Sequence, residues 1–446
     1  MNSLWVKIKR TDDLDNIIIP HYLDEINNSI NLEYGSKSIK VYKNIYNIDD
    51  INNSFNKPII IYLSGNIIDK LLINIDITYQ MNYQNNTISI GPIIGILMGE
   101  QHYYYHDKHI HELTESMINY ENIGGLYYVF KISGIDYDKE VIYGLYYNNS
   151  IKKWLYSILP IPSVIFIRGF QNNKIINKLK KLTNNKVFNS LRLDKWIMYQ
   201  KMLKNKVLLN NLPDTIYLDN YKSLKIFINK HKNIILKPSN LSRGRGIYFI
   251  DKINDYYLVS GNDYKNKKMN KYNLYNFLSK ELFFKRNYIA QKKISLATVN
   301  KSPFDIRVVM QKNIDNIWNC SGIECRIAGR DDIITNIARG GQALSLDETI
   351  KLAFGVNFNH NKVRDDIIKI SMLFCHFADS LNELFAEFGL DIAIDKDGKY
   401  WFIEANVRPT FKGFKTLDYN NYLFIISNPI IYAASLAGFR KEFINV

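Results

Sequence analysis

This chain of 446 residues is poor in cysteine, in proline and in long apolar runs. Its three cysteines, Cys320, Cys325 and Cys375, make neither an even disulfide framework nor the paired spacing of a zinc site. A reducing, cytoplasmic compartment is the simplest inference. On a continuous strand Cys320 and Cys325 would face opposite sides. The opening MNSLWVKIKRTDDLD holds no apolar core of the length a secretion signal needs. The most apolar long stretch, Tyr422 to Phe439, contains Ser427, Asn428 and Pro429. It reads as a buried C-terminal helix rather than a membrane span. A focused basic surface is also missing. The net charge of +15 would suit nucleic acid or an anionic surface. However, the lysines are scattered, as in KLKKLTNNK and YKNKKMNK, with no basic helix or RNA-binding signature. The joint abundance of Asn, Ile, Lys and Tyr is a composition bias, so no specific nucleic-acid partner is expected.

What the sequence does have is ordinary globular composition, 46% hydrophobic and 23% charged, and a length that suggests two or three domains. Residues 1–88 show short β-like runs, such as Ile59 to Leu63, broken by Asn-rich turns, and read as a small β-rich accessory module. GPIIGILMGE, Gly91 to Glu100, opens an α/β unit, and PSVIFIRGF, Pro162 to Phe170, supplies a second buried strand. These place an α/β domain at 89–188. Between them HYYYHDKHIHE carries His102, His106, His109 and His111. The first three could share one helical face, but no cysteine or acid completes a zinc pattern, and a solvated or substrate-lining loop is expected. From Asn189 a third domain, 189–446, begins with SLRLDKWIMYQKML, which is helical with Trp196, Tyr199 and Leu203 at i, i+3 and i+7. Further helices are expected over Tyr221 to His231 and from about Asp365 to Phe388, with a run of strands to Ile337 between them.

The chemistry concentrates in this third domain. GLDIAIDKDGKYWFIEANVRP, Gly389 to Pro409, reads as two apolar strands, yet it carries Asp391, Glu404 and Asn406. Asp397-Gly398 is a two-residue hairpin signal. With that loop, paired positions place Asp391 opposite Glu404, about 5 Å apart, where two carboxylates repel unless a cation lies between them. Asn406 shares their face, and the three oxygens suit Mg²⁺ held jointly with phosphates. The alternative is a solvated hairpin with surface acids. A second segment, IILKPSNLSRGRGI, delivers Lys237 on a strand. A loop follows in which Ser239, Ser242, Gly244 and Gly246 offer backbone amides to phosphate, and Arg243 and Arg245 add charge. Its alternative is a mobile surface loop. In NYIAQKKISLA a strand and linker with Gln291 could run along a flat ring. FDIRVVMQ alternates so that Asp305 and Arg307 share one face and Phe304, Ile306, Val308 and Met310 the other. An Arg307–Asp305 salt bridge is the competing reading there.

In this order the segments resemble the ATP-grasp superfamily, from about Gly91 to Gly438. Within it the sequence is most similar to the YheC/YheD family of endospore coat-associated proteins, through PIPSVIFIRGF, VFNSLRLDKW, NLPDT and the β module before GPIIGIL. The resemblance implies an α/β (α+β) chain with an ATP-grasp fold, a preceding α/β (pre-ATP-grasp) domain and the N-terminal β-rich module. It implies that Lys195, beside Asp194, and Lys237 contact ATP phosphates, and that Ser242, Arg243, Gly244, Arg245 and Gly246 form the mobile loop over them. Gln291, Lys292 and Ile294 would be the hinge that holds adenine. Asp391, Glu404 and Asn406 would bind one or two Mg²⁺ ions, or Mn²⁺. Arg307 would face the transferred phosphoryl group, with Arg326 and Asn336 where related ligases contact acceptor or phosphate; Arg307, Arg326 and Lys237 are thus the candidate catalytic residues. Specificity positions would lie between Gly91 and Phe170 and near Arg339 to Gln342. One departure stands out: several such ligases carry an arginine two residues before the first metal acid, where this chain has Gly389. The implied activity is an ATP- and Mg²⁺-dependent carboxylate–amine ligase acting on small-molecule or peptide substrates through an acylphosphate, in the cytoplasm of a sporulating mother cell or at the spore coat. Spore-coat proteins and a second copy of the chain are its implied partners. A structural coat protein that binds ATP without turnover, and a kinase acting on a hydroxyl, are the alternatives.

Overall fold

The structure is a computed structural model, which describes residues 4–12, 16–23, 26–46, 58–169, 171–191, 193–206, 208–241, 245–261, 264–279, 287–329 and 341–439. Among the described residues, seven strands between Leu4 and Gly91 close into a barrel. Strict alternation builds its interior: in Ser29–Tyr34, Ile30, Leu32 and Tyr34 are buried while Asn31 and Glu33 are exposed. Closure depends on distant pairings, with Leu4–Thr11 hydrogen-bonded to both Ile59–Ser64 and Thr78–Gln84. Inside, the Tyr34 and Tyr79 hydroxyls lie 2.8 Å apart and Tyr79 donates to the Asn74 carbonyl, so neither phenol is buried unpaired.

The second sheet orders its strands Lys153–Pro160, Val141–Asn148, Leu126–Asp136, Ile93–Leu97, Val164–Ile167 and Val187–Phe188. Its centre is parallel, because Ile93–Leu97 pairs in that sense with both neighbours. Covered on both faces, the strands Ile93–Leu97 and Val164–Ile167 are buried at every residue, which is why they read as unbroken apolar runs. The histidine-bearing stretch is not a loop: a helix runs Asp107–Ser116 beside the ends of these strands, after a short helical turn at His102–Tyr105.

Two antiparallel sheets follow. One orders Thr215–Tyr217, Tyr288–Lys292, Asn233–Pro238, Tyr248–Ile253, Tyr256–Gly261 and Tyr264–Met269, with Tyr221–His231 and Lys271–Leu278 packed on it through Leu224, Phe227, Leu274 and Phe277. The other orders Gln342–Leu344, Trp318–Ile327, Ser302–Lys312, Glu387–Ile394 and Tyr400–Asn406. One face of this last sheet carries Phe304, Ile306, Val308, Met310 and Ile392 against Ile367 and Phe374 of the helix His360–Asp379. The buried C-terminal helix Tyr419–Leu436 covers part of the other face through Tyr422 and Ile425. Among the described residues no helix is long and apolar enough to cross a membrane.

Three expectations are corrected here. The helix expected from Asp365 to Phe388 is His360–Asp379, capped by Asn359; Phe385 and Phe388 continue its apolar pattern but belong to the loop and strand that follow. In Lys195–Met202 the buried side chains are Met198 and Met202, while Leu203 is exposed and Trp196 stacks on Tyr199 at its surface. Cys320 and Cys325 both pack on the same core, because a bulge between Cys320 and Gly322 resets the alternation.

The second and fourth sheets are tied together by Asn189. It is fully buried in a left-handed conformation, φ 54°, which asparagine tolerates better than most residues. Its amide donates to the carbonyls of Glu387 and Val407, at 3.1 and 2.9 Å, and its oxygen accepts from Ala386 N at 2.9 Å. Asn189→Ala is expected to lower stability by roughly 3 kcal/mol, from several buried backbone groups left unpaired. Urea unfolding followed by tryptophan fluorescence checks this.

Candidate active site between two sheets

The hairpin of Asp391 and Glu404 reaches the expected register by an unexpected route. The tight turn runs from Asp395 to Gly398, with Gly398 N donating to the Asp395 carbonyl at 3.0 Å, and only Gly398, not Asp397, has positive φ, 82°. This is a three-residue loop rather than the expected two-residue turn. Asp395 fixes it by accepting from Asp397 N, Lys399 N and the Trp401 indole. Pairing from that turn is displaced by one residue, Ile392 with Phe402, until a bulge at Ile403 restores Asp391 opposite Glu404 and Gly389 opposite Asn406. The bulge also lets Phe402 and Glu404, two positions apart, face opposite sides. Phe402 stacks on Phe374 in the core, and Glu404 and Asn406 face the cavity with Asp391.

On that face the strands align a row of four residues: Glu324, Arg307, Asp391 and Glu404. Arg307 grips Asp391 with two hydrogen bonds, Nε to Oδ1 at 2.6 Å and Nη2 to Oδ2 at 3.2 Å. Arg326 reaches Asp391 Oδ2 at 3.0 Å and binds Asp305 through both Nε and Nη2, at 2.7 and 2.6 Å. The competing Arg307–Asp305 pair is therefore not the one formed. Burial by itself would raise Asp391, but the two guanidiniums outweigh it and hold the carboxyl below its ordinary value. The structure also accounts for Gly389. A side chain there would run into Pro409 Cβ at 2.6 Å and Arg307 Cδ at 3.2 Å, so Arg307 approaches Asp391 across the space this glycine leaves open.

Two lysines approach this row from outside its sheet, Lys237 on the strand Asn233–Pro238 and Lys195 at the start of the helix Lys195–Met202. Lys195 Nζ lies 3.4 Å from Glu404 Oε2 and donates to the Leu241 carbonyl at 2.6 Å, while Asp194 caps its helix. Lys237 is nearly buried, and burial pushes its ammonium down to about 8, with Glu404 and Asp391 opposing and Lys195 adding. Gln291 lies beside Lys237: its Oε1 accepts from Lys237 Nζ at 2.8 Å and its Nε2 donates to Thr215 Oγ1 at 3.0 Å. The Gln291 side chain thus positions Lys237, and what it can offer a flat ring is backbone alone. Lys292 and Ile294 line the cavity, as do Arg245 and Asn406. Gly246 adopts φ 71° beside Pro238 and Tyr288. Ser242, Arg243, Gly244 and Asn336 lie outside the described residues, as does Arg339.

These residues surround one cavity of about 1220 Å³. It exceeds the roughly 300–1,000 Å³ of a typical small-ligand site, so it has room for a nucleotide and a second molecule. Its lining also includes Tyr104, His109 and Arg168 of the second-sheet region and Arg408, Lys412 and Lys415 after the hairpin. Of the four histidines, His109 alone lines this wall. Among the described residues no group of three or more His, Cys, Asp or Glu side chains is gathered to hold a metal. The donor set that fits Mg²⁺ is mixed: two carboxylates, Asp391 and Glu404, and the Asn406 amide, all hard oxygens on one face. Sequence reasoning missed Glu324, Glu387 and Glu115. Glu387 is fully buried between Arg168 and Gln311, and Glu115 accepts from Lys415, Tyr419 and Tyr422 across the cavity wall. The i, i+2 placement of Glu324 before Arg326 was the available signal for the first.

A family model described as YheC/D like ATP-grasp matches residues 184–436. The endospore coat-associated protein YheD of Bacillus subtilis strain 168 is 26% identical over 373 residues, covering 78% of this chain and 79% of that protein. YheC of the same strain is 25% identical over 276 residues, covering 59% of this chain and 75% of that protein. Among solved structures, D-alanyl-alanine synthetase A from Vibrio cholerae is similar over 77% of this chain and 98% of that chain, at 12% identity and a TM-score of 0.47.

The depressed Lys237 ammonium gives a test with a fixed sign. Its folded value lies below its unfolded one, so between about 8 and 10.5 the unfolded chain holds the extra proton and stability rises with pH. In Lys237→Met this rise is absent. The stability difference between variant and wild type, from urea unfolding at pH 7.5 and pH 10.5, is expected to shift by about 3 kcal/mol in favour of wild type.

Proposed function

The chain belongs to the YheC/D-like ATP-grasp family, and from that premise we propose that it is an ATP- and Mg²⁺-dependent ligase joining a carboxylate to an amine. The observation that carries the reading is the row Arg307, Asp391 and Glu404, met by Lys237 from the facing sheet and by Lys195 from the start of its helix. Mg²⁺, held by Asp391, Glu404 and Asn406, would supply charge neutralisation on the β- and γ-phosphates. Lys237, held by Gln291, and Lys195, held by the Leu241 carbonyl and Glu404, would exchange these partners for phosphate oxygens from positions already in the site. Arg307 would stabilise charge on the transferred phosphoryl group, and Arg326, anchored on Asp305, would orient the acceptor carboxylate. That carboxylate attacks the γ-phosphorus, ADP leaves, and the resulting acylphosphate is captured by the amine. No side chain is required as a covalent nucleophile, which agrees with a cavity whose chemistry is lysine, arginine and carboxylate. The names of both relatives, endospore coat-associated proteins, support association with the spore coat.

Isothermal titration should find ATP binding that depends on Mg²⁺, and Glu404→Gln should weaken it at least tenfold, about 1.4 kcal/mol. Asp391→Asn should do the same but also lower stability by roughly 3–5 kcal/mol, because it leaves Arg307 and Arg326 without their shared partner. Hydroxylamine added with ATP and a carboxylate pool should give a hydroxamate. ADP release with a phosphorylated hydroxyl and no hydroxamate would instead indicate a kinase.

A further inference from the structure

The cross-strand row continues past Arg307 to Glu324, directly opposite it on the strand Trp318–Ile327. Glu324 is 1% exposed and lines the cavity, and its Oε2 has no hydrogen-bond partner among the described residues. A buried oxygen left this way costs roughly 1–3 kcal/mol. Room for the carboxyl is made by a glycine: a Cβ at Gly413, on the short helix Lys412–Leu417, would collide with Oε2. The nearest cations are committed elsewhere, Arg307 to Asp391 and Arg326 to Asp305 and Asp391. Asp305 and Arg307 face it from the adjacent strand, Arg326 from its own and Asp391 from beyond. Ala343 lies on the strand at its other side, and Lys412 and Lys415 ride on the helix that carries Gly413, with Lys415 held by Glu115. Strand spacing separates Glu324 from Asp391 by about 10 Å. It therefore stands on the acceptor side of Arg307, away from the residues assigned to metal and nucleotide.

We propose that Glu324 is the catalytic residue that receives the attacking amine, bound as its ammonium ion, and takes its proton. The proposal rests on the ligase reading. The ammonium donates to the Glu324 carboxylate and one proton passes to it. The freed lone pair forms the C–N bond at the acylphosphate carbonyl, and the C–O bond to phosphate breaks with its electron pair going to phosphate. The second N–H proton leaves with the phosphate, and Glu324 returns its own to solvent. Burial pushes Glu324 up to about 7, with Arg307 and Arg326 opposing, which suits a base working near neutrality. The second substrate is thereby assigned to the class of protonated alkyl amines.

The test uses the full chain with MgATP, N-acetylated protein amino acids as the carboxylate pool, and two amines. Methylamine is protonated at neutral pH and needs a base; hydroxylamine is largely neutral and does not. In Glu324→Gln the ratio of methylamide to hydroxamate should fall roughly 100-fold at pH 7 and recover as pH approaches the pKa of methylamine itself. Glu324→Asp, which keeps a carboxylate, should regain part of the ratio. An unchanged ratio overturns the proposal while hydroxamate formed by wild type keeps the ligase reading. Loss of both products in the Gln variant with MgATP binding intact also overturns it, as does an Asp variant no better than Gln. Absence of hydroxamate from wild type removes the ligase reading, and this assignment with it.

Discussion

The site depends on one buried carboxylate. Asp391 is 5% exposed in the middle of a sheet, gripped by Arg307 from the neighbouring strand and by Arg326 from the strand beyond. Such a carboxylate survives burial only where its charge is matched and its oxygens are bonded, because desolvating an ion costs more than an imperfect partner returns. The surrounding sequence meets that condition at several points. Gly389 leaves space for the Arg307 stem, Asp305 anchors the far side of Arg326, and the Ile403 bulge brings Glu404 level with Asp391. The apolar face of the same strands, Phe304, Ile306, Val308 and Met310, fixes which residues face the cavity, since a slip of one position would exchange the two faces.

The functional consequence follows from charge. Guanidiniums and ammoniums converge on two carboxylates across a cavity large enough for a nucleotide and an acceptor. On the proposed ligase reading, polyphosphate would bind there by exchanging partners with groups already in place rather than by assembling them, which is how preorganised sites gain rate. Lys237 illustrates the arrangement: its buried ammonium is held by Gln291, which is held in turn by Thr215. The hydrogen bonds from Thr215 through Gln291 to Lys237 span three neighbouring strands of one sheet, so the lysine's position is a property of the sheet.

Much of this was legible in the sequence, and the misses have physical causes. The alternation of FDIRVVMQ gave the two faces of its strand correctly. The hairpin register came out right although its turn did not: the loop begins one residue earlier than Asp397-Gly398 suggested, and the bulge at Ile403 cancels the displacement. Neither can be read from alternation alone, because Asp395 sets the loop through side-chain bonds to Asp397, Lys399 and Trp401. Barrel closure was invisible because its pairings join Leu4–Thr11 to residues more than fifty positions away. Glu324 was passed over beside the more conspicuous Arg326, although both face the cavity by the same two-residue period. Gln291 was expected against a ring, and only the fold shows its amide turned to a lysine on the next strand.

The central claim is that Asp391 and Glu404 exchange cationic side chains for a metal that carries the nucleotide. A crystal structure with Mg²⁺ and a non-hydrolysable ATP analogue tests it most directly. The account predicts Mg²⁺ about 2.1 Å from oxygens of Asp391 and Glu404, with Lys237 on phosphate and Arg307 drawn from Asp391 towards the γ-phosphate. A nucleotide in the cavity with Asp391 still chelated by Arg307 and Arg326, and Mg²⁺ bound elsewhere or not at all, would contradict it.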